Sequence, residues 1–486
     1  MKTAAHRTAI VRGELSRPTR LALMTGLLAA GETFFDYGCG RGEDVVGLRK
    51  MEFAADGWDP NHLPDAKRLD ADVVNIGYVV NVIADPQERV EALKNAWGHT
   101  GKALVVAARL NNELRSLPNA RQHGDGFITD HDTFQKFYSQ SELRAWVDSS
   151  LEVESVAVAP GIFVVFKREE DANEFLIRNR RRRAITVKIS HADRMYDEHR
   201  ELLDELIDFY TVRGRLPRKA EEIDLEIRLK EHVGGLRRAW SVIRKVAEDT
   251  NWDAIADSRR DDLLVDIALL KLNRRPNFMA LPEATRNDIK DFFGSYKQAT
   301  TEADELLFSS GNIDLLSTTA DESAVGKRLP TDLYVHVSAL DQLAPVLRVY
   351  EGCARWLMGE VDDANIVKLA TDKPKVSYLS YPTFDKDPHP RLRETTYVRL
   401  RGLDVDWRSY VESENPPILH RKEEFVAEDY PLRERFARLT AQEERFGLFD
   451  TDLRMIGYQN GWDEHVSSLG VDIRGHRVVR KPQQDQ

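Results

Sequence analysis

Cysteine is nearly missing from this chain of 486 residues, which holds only Cys39 and Cys353. Two such thiols cannot by themselves build a disulfide framework or a structural zinc site. Uninterrupted apolar runs of about 18 residues are also lacking, so no membrane-spanning helix is expected. The first residues carry His6, Arg7, Arg12, Glu14 and Arg17, with no apolar stretch leading to a small-residue cleavage site, so a secretory signal is not expected either. Together these absences point to a cytoplasmic location without membrane contact. Net positive charge is lacking as well. With 70 Lys and Arg against 81 Asp and Glu, the formal charge is −11, which argues against a surface coated in basic residues for nucleic acid. No internal repeat or low-complexity tract is evident.

What remains is an ordinary globular composition, 42% hydrophobic and 31% charged, at a length that exceeds one hydrophobic core. Residues 1–168 alternate apolar strands with helical patterns. The strands are predicted at Thr33–Tyr37, Phe53–Trp58, Asp72–Ile76 and Ala103–Ala108, with a closing hairpin of Val153–Val158 and Ile162–Lys167 around Pro160-Gly161. Helices are predicted at Glu43–Lys50, Pro86–Trp97 and from Ser139, where Ser139 and Glu142 form a capping-box signature. Such alternation predicts a largely parallel sheet covered by helices on both faces. Residues 169–311 read as a helical, partly basic domain, and Ser309–Pro330 as a loop or linker. Residues 331–486 read as a loop-rich α+β or helical region, with a helix at Leu340–Met358 and repeated proline breakers beyond it.

Charge is unevenly spread. Between Phe175 and Lys245, 18 Lys and Arg stand against 12 Asp and Glu, an excess of six on an otherwise acidic chain. Arg178, Arg180, Arg181, Arg182, Arg183, Arg215 and Lys219 are the candidates for nucleic-acid phosphate contacts. A solvated helical face laced with ion pairs is the competing reading.

The chemistry-bearing motif is Asp36-x-Gly38-x-Gly40-x-Gly42 at a strand-to-helix junction. Small residues let the backbone turn tightly beneath a ligand, and the helix that follows turns its N-terminal N–H groups toward it. An acid at Asp59 closes the second strand, at the distance where dinucleotide-binding folds place a ribose ligand. With the acid ahead of the first glycine, the pattern resembles motif I of class I S-adenosylmethionine (SAM) methyltransferases. That resemblance implies a Rossmann-like class I methyltransferase domain binding SAM through Asp36, Tyr37, Gly38, Cys39, Gly40, Gly42, Asp59, Pro60, Asn75 and Gly77. Asp36 would orient the methionine amino group and Asp59 hold the ribose. A nicotinamide or other nucleotide is the alternative ligand. Cys39 reads as a small filler rather than a nucleophile.

Only 13 positions separate Asp59 from Asp72, too few for an extra helix and strand, so the usual sheet looks trimmed. At the carboxyl end of the next strand, Asn75, Tyr78 and Asn81 are the candidates for the catalytic face toward the acceptor. Exocyclic-amine DNA methyltransferases carry Asp/Asn/Ser-Pro-Pro-aromatic there; here Ile76-Gly77 replaces the prolines. A literal Asn415-Pro416-Pro417-Ile418 lies far downstream and reads as a structural loop. Arg109, His123, Asp125, Phe127 and His131 occupy a loop where such folds place substrate-binding elements, with His123 and His131 as possible bases. Asp385-x-Asp387-x-His389 reads as a turn, and no metal site is assigned.

Several stretches together resemble one bacterial family: His6-Arg7-Thr8-Ala9, Leu15-Ser16-Arg17-Pro18, Phe35–Gly42, Gly57-Trp58-Asp59-Pro60, Asn75–Ile83, Lys375–Pro382 and Asn415–Glu423. They are similar to the methyltransferases associated with DNA phosphorothioation loci. The resemblance implies a SAM-dependent enzyme beside bacterial DNA sulfur modification and restriction, with DNA, or proteins of that system, as partners. A non-catalytic SAM-binding module that recruits DNA or a modification complex is the alternative function.

Overall fold

The computed structural model describes residues 14–117, 120–130, 132–180, 183–218, 223–361 and 363–480. These fall into two compact units. One combines the chain up to Ala172 with Ile313–Leu343 and the residues from Glu351 onward; the other holds Asn173–Asn312 and Ala344–Tyr350.

The first unit begins with α1 (Arg17–Met24), whose N-cap Ser16 accepts from Thr19 N and whose first turn contains Pro18. There follow β1 (Thr33–Tyr37), α2 (Glu43–Lys50), β2 (Ala54–Trp58), β3 (Ala71–Gly77), α3 (Pro86–Gly98) and β4 (Thr100–Ala107). Three short strands, β5 (Arg121–His123), β6 (Gly126–Ile128) and β7 (Phe134–Gln135), form a separate small sheet. Then come α4 (Gln140–Leu151) and the hairpin β8 (Ser155–Ala159) and β9 (Ile162–Phe166). The main sheet has the order β2-β1-β3-β4-β9-β8. Its first four strands are parallel and β9 runs antiparallel to β4. No strand forms between Trp58 and Ala71, so the sheet is short by the unit that the sequence spacing left no room for.

Burial explains the sequence pattern. Phe35, Val74, Ile76, Leu104, Val106, Phe163 and Val165 are fully buried, and every residue of β9 is buried. Strands covered on both faces need continuous apolar runs rather than alternation. The capping box is made as expected: Ser139 Oγ accepts from Glu142 N at 3.0 Å while Ser139 N donates back to the Glu142 carboxylate at 3.3 Å.

The second unit is helical: α5 (Glu169–Arg178, shared with the first unit), α6 (Arg194–Glu198), α7 (Arg200–Arg213), α8 (Ile223–His232), α9 (Leu236–Val246), α10 (Trp252–Leu270), α11 (Glu283–Phe292) and α12 (Tyr296–Ser309). Leu203, Leu206, Leu229, Ala239, Ile243 and Val246 lie at its centre, beside the stacked rings of Tyr210 and Trp240 at 4.4 Å.

The segment read as a linker is instead structured. It contains α13 (Ile313–Asp321) and β10 (Lys327–Leu329); Ser317, Thr318 and Thr319 sit at helical positions, where Thr318 Oγ1 bonds back to Asp314 O at 3.0 Å. The predicted Leu340–Met358 helix starts later. Val337–Gln342 is a 3-10 turn, and α14 (Pro345–Met358) begins at the proline, which is suited to a first turn. The C-terminal region contains a six-stranded antiparallel sheet of β10, β11 (Asp332–His336), β12 (Ala364–Ala370), β13 (Lys375–Ser380), β14 (Glu394–Arg399) and β15 (Asp404–Ser409), in chain order. Helices α15 (Arg433–Arg445), α16 (Leu453–Ile456) and α17 (Gln459–Ser468) follow, then the hairpin β16 (Val471–Ile473) and β17 (Val478–Arg480). Tyr378 on β13 donates to Glu351 Oε1 at 2.9 Å.

The two six-stranded sheets of the first unit are joined through backbone. Gln140 donates to Leu357 O and Met358 O at 3.3 and 3.4 Å and accepts from Gly161 N at 2.8 Å. Glu360 N donates to Val158 O at 2.8 Å, and a Cβ on Gly359 would lie 2.4 Å from the backbone of Val158 and Ala159. No described helix is long and apolar enough to cross a membrane.

Replacing Ser139 with Ala removes the acceptor for Glu142 N and should destabilise α4 by about 1 kcal/mol. Thermal unfolding of the full chain should show a lowered midpoint, and an unchanged midpoint would mean that the cap contributes nothing.

Candidate functional site

The parallel strands β1 and β3 lead to connections on opposite sides of the sheet, and the crevice outside their carboxyl ends is where open α/β sheets take ligands. A cavity of about 270 Å³ lies there. Its floor is the Asp36–Gly42 loop. Gly38, Gly40 and Gly42 have φ of +86°, +55° and +79°, a left-handed backbone that residues with a Cβ adopt at a cost. At Gly38 space is also closed: a Cβ would stand 2.5 Å from Val79 Cγ2. Gly42 caps α2 in this conformation.

Asp59 braces the loop from the neighbouring strand. Its Oδ2 accepts from Gly40 N at 3.0 Å, and its Oδ1 accepts from Asn61 N and His62 N at 2.8 and 2.9 Å. A carboxylate has about four acceptor positions, so three backbone donors leave room for one ligand hydroxyl. On the opposite side Asn75 Nδ2 donates to Asp36 Oδ1 at 2.8 Å. Asn75 is 2% exposed and lines the cavity, and its Oδ1 has no hydrogen-bond partner. A buried orphan acceptor is costly, and a ligand donor would satisfy it.

The cavity is acidic. Asp36, Glu43, Asp44 and Asp59 line it against one arginine, Arg41, with His62 beside them. These carboxylates stand where a dinucleotide's pyrophosphate would have to approach the α2 N-terminus, and like charges at short range are strongly unfavourable in a partly buried site. A cationic ligand suits the same ground. Cys39 packs on Gly57, where a Cβ would lie 2.9 Å from its own Cβ. Burial, then Asp36 and Asp59, push its thiol up to about 12, which leaves it a neutral filler.

Of the residues singled out in the sequence, Asp36, Tyr37, Gly38, Cys39, Gly40, Asp59, Pro60, Asn75, Gly77 and Tyr78 all line this cavity, and Gly42 is its helix cap. Tyr78 holds a φ of +61°, rare for an aromatic residue and typical of strained functional positions; its N–H donates to Ala107 O at 2.8 Å. Asn81 is placed elsewhere. Its Nδ2 donates to Gln135 Oε1 at 2.8 Å and its carbonyl accepts from Lys136 N at 2.7 Å, so it anchors β7 and does not line the cavity. The sequence reading missed Ser16, Asp44 and Trp58. Asp44 accepts from Ser16 N and Thr19 Oγ1 at 2.6 and 2.9 Å, which fixes α1 against the loop. An acid in a first helical turn looks like ordinary dipole compensation, so nothing in its position announced a second role.

His123, Asp125 and Phe127 belong to the small sheet and its first turn, and neither they nor Arg109 line the cavity. Asp125 pairs with the buried Arg89 at 2.7 Å and with Lys136 at 3.2 Å, and the Arg89 hydrogen bond leads the effects that hold its carboxyl down at about 2. Phe127 meets Phe137 edge-on at 6.1 Å, His123 meets Phe134 at 6.5 Å, and Arg109 lies 3.9 Å from Glu113. His131 lies outside the described residues. In the C-terminal region His389 faces Glu443 at 2.7 Å, Asp385 accepts from Tyr430 at 2.7 Å, and Asp387 offers its backbone carbonyl to Lys422. No cluster that could hold a metal occurs among the described residues. Asn415 Oδ1 accepts from Asn460 N at 2.9 Å and Pro417 bridges to Tyr458, so that proline segment is scaffold.

Two of the basic candidates are engaged internally. Arg215 is 2% exposed and bound to Asp288 at 2.7 Å, and Arg180 pairs with Asp266 at 2.8 Å. Buried pairs of this kind cannot turn to phosphate without leaving a carboxylate uncompensated. Arg178 and Arg183 are exposed; Arg181, Arg182 and Lys219 lie outside the described residues.

Alkylation of Cys39 should be far slower than that of an ordinary thiol at pH 8 and should accelerate only as the pH nears 12, because the thiolate is the reactive form. Peptide mass spectrometry after brief iodoacetamide treatment reads this directly, and rapid labelling of Cys39 at pH 8 would contradict it.

No family model matches the chain and no curated protein matches its sequence. Among solved structures it is similar over about a third of its length to methyltransferases. The Burkholderia thailandensis 1,6-didemethyltoxoflavin-N1-methyltransferase, solved with S-adenosylhomocysteine, is 12% identical, with 35% of this chain and 80% of that one covered and a TM-score of 0.24. The magnesium protoporphyrin IX methyltransferase of Synechocystis is 10% identical, with 34% and 93% covered and a TM-score of 0.24. An amino pentose methyltransferase of Micromonospora echinaspora, solved with SAM, is 12% identical, with 34% and 93% covered and a TM-score of 0.23.

Proposed function

We propose that this protein is a SAM-dependent methyltransferase whose cofactor lies in the acidic glycine cradle. The observation that carries the reading is the combination of a left-handed glycine loop with four lining carboxylates and an orphaned Asn75 Oδ1. SAM carries both a sulfonium and an ammonium, and supplies an electrophilic methyl group when bound. Asp36, held by Asn75, takes the ammonium side, and the remaining acceptor position of Asp59 takes a ribose hydroxyl. Trp58, Val79, Val82 and Ile83 give the cavity its apolar wall. Tyr78 lines the cavity in its strained conformation, where it would position an acceptor. Such transfer needs alignment more than covalent assistance.

The acceptor we propose is DNA, in a bacterial phosphorothioation setting. Support for that finer step is the sequence resemblance in Asn75–Ile83, Lys375–Pro382 and Asn415–Glu423. One observation favours a second reading, a SAM-binding module without turnover: Asn75 and Asn81, the amides expected to face an acceptor, are bound to Asp36 and Gln135.

Calorimetry with the full chain should show heat with SAM and none with NAD. Asp59→Ala should weaken SAM at least 10-fold, since it removes both the hydroxyl acceptor and the brace on Gly40. Absence of SAM heat would overturn the proposal. Labelled SAM incubated with DNA, RNA and co-encoded proteins separates the two functions: methyl transfer supports the enzyme, and binding without S-adenosylhomocysteine release supports the module.

A further inference from the structure

A second and larger cavity, about 700 Å³, opens on one face of the β10–β15 sheet. Its composition is unlike that of the cradle. Lys327, Lys368, Lys375, Arg408 and Arg421 line it together with aromatic rings, and no carboxylate does. Two segments that the cofactor site leaves unused meet here. Lys375, Ser377, Leu379 and Tyr381 supply the floor from alternate positions of β13 and its end, and Pro417–Arg421 supply the wall.

The strand registers make the arrangement regular. Lys327 pairs with Tyr334, Tyr334 with Lys368, Lys368 with Ser377, and Ser377 with Tyr397. The row therefore runs cation, ring, cation, Ser377, ring across five strands, each step about 4.8 Å. Within it, Lys368 Nζ lies 5.0 Å from the Tyr334 ring. Beside it, Lys375 Nζ lies 3.9 Å from the Tyr397 ring and, on β15, Arg408 lies 4.8 Å from Tyr410; the row itself ends on β15 at Asp406, which accepts from the Tyr397 hydroxyl at 2.9 Å. Some of this charge is matched from outside the cavity, Lys327 by Glu424 at 2.9 Å and Lys368 by Asp332 at 3.2 Å. Lys375 is held below the usual lysine range by burial and by Lys368, Lys373 and Arg399. Cations crowding one another next to rings mark a place where an anion bearing a flat apolar group would be stabilised.

We propose that this cleft binds a segment of single-stranded nucleic acid, with bases on the tyrosine rings and phosphates on Lys368, Lys375 and Arg408. Stacking on aromatic rings together with a cationic track is the chemistry by which proteins hold single strands irrespective of sequence. A strand fits better than a free nucleotide because the lining cations and rings extend from Lys327 on β10 to Arg408 on β15, further than one nucleotide can touch. Duplex DNA keeps its bases stacked inside and cannot use the rings. The assignment is independent of the cofactor reading, since no residue of the cradle lines this cleft.

Fluorescence anisotropy of the full chain with a labelled 12-residue oligothymidylate, without SAM, tests it. Binding should weaken with salt, and Arg408→Glu and Lys375→Gln should each weaken it at least 5-fold. Removing one contacting cation should also flatten the slope of log affinity against log salt by about 0.7. Arg408 is exposed, so its variant tests the site without disturbing the core; unchanged thermal unfolding and SAM calorimetry would confirm that each variant is folded. Undetectable binding, equal affinity for thymidine monophosphate, preference for the duplex, or variants that bind like the parent would each overturn the proposal. The last result would place any strand binding elsewhere, on the exposed Arg178 and Arg183 for example.

Discussion

The carboxylate of Asp59 ties together two loops that would otherwise have no reason to stay in register. By taking Gly40 N from one loop and Asn61 N and His62 N from its own, it converts the flexible glycine sequence into a rigid surface. The glycines make the left-handed path possible; the carboxylate selects it from the many paths that glycine allows. Parallel pairing of β1 with β2 sets the distance, with Asp36 opposite Gly57 and Tyr37 opposite Trp58. Sheet register, loop shape and cavity are thus one problem with one solution.

The N-terminal sheet was legible because its strands are buried on both faces and so appear as short, continuous apolar runs. Thr33–Tyr37 and Ile162–Phe166 are of this kind, and the helix from Ser139 announced itself through two residues three apart. The glycine loop was legible for a different reason, since glycine at alternate positions has few structural alternatives. The C-terminal sheet was not. Its strands carry Lys375, Ser377, Glu394, Arg399, Asp404 and Arg408 on partly solvated faces, and prolines between them resemble breakers of helices rather than ends of strands. Asn81 misled because spacing cannot tell an amide that faces a cavity from one that anchors β7. Counting charge could not show that Arg180 and Arg215 are already paired, because their partners Asp266 and Asp288 lie about 70 to 90 positions further along the chain.

Net charge also concealed an internal division. The acidic total hides a contrast between a cradle rich in carboxylates and a cleft lined by lysines and arginines, both within one compact unit. Opposite potentials at separate concave surfaces sort ligands by sign before shape acts, so a cationic small molecule and an anionic chain would not compete.

The join between the two sheets bears on any attempt at dissection. Gln140 uses its side chain to reach Leu357 and Met358, and the backbone of Gly359 lies so close to Val158 and Ala159 that no side chain fits. A fragment ending near residue 168 would expose a seam built for backbone contact, with apolar surface and unanswered amide groups along α4 and β8. Expression trials with such a piece would be expected to report on solubility at the cut face, and poor behaviour there would carry no information about the chemistry of the crevice itself.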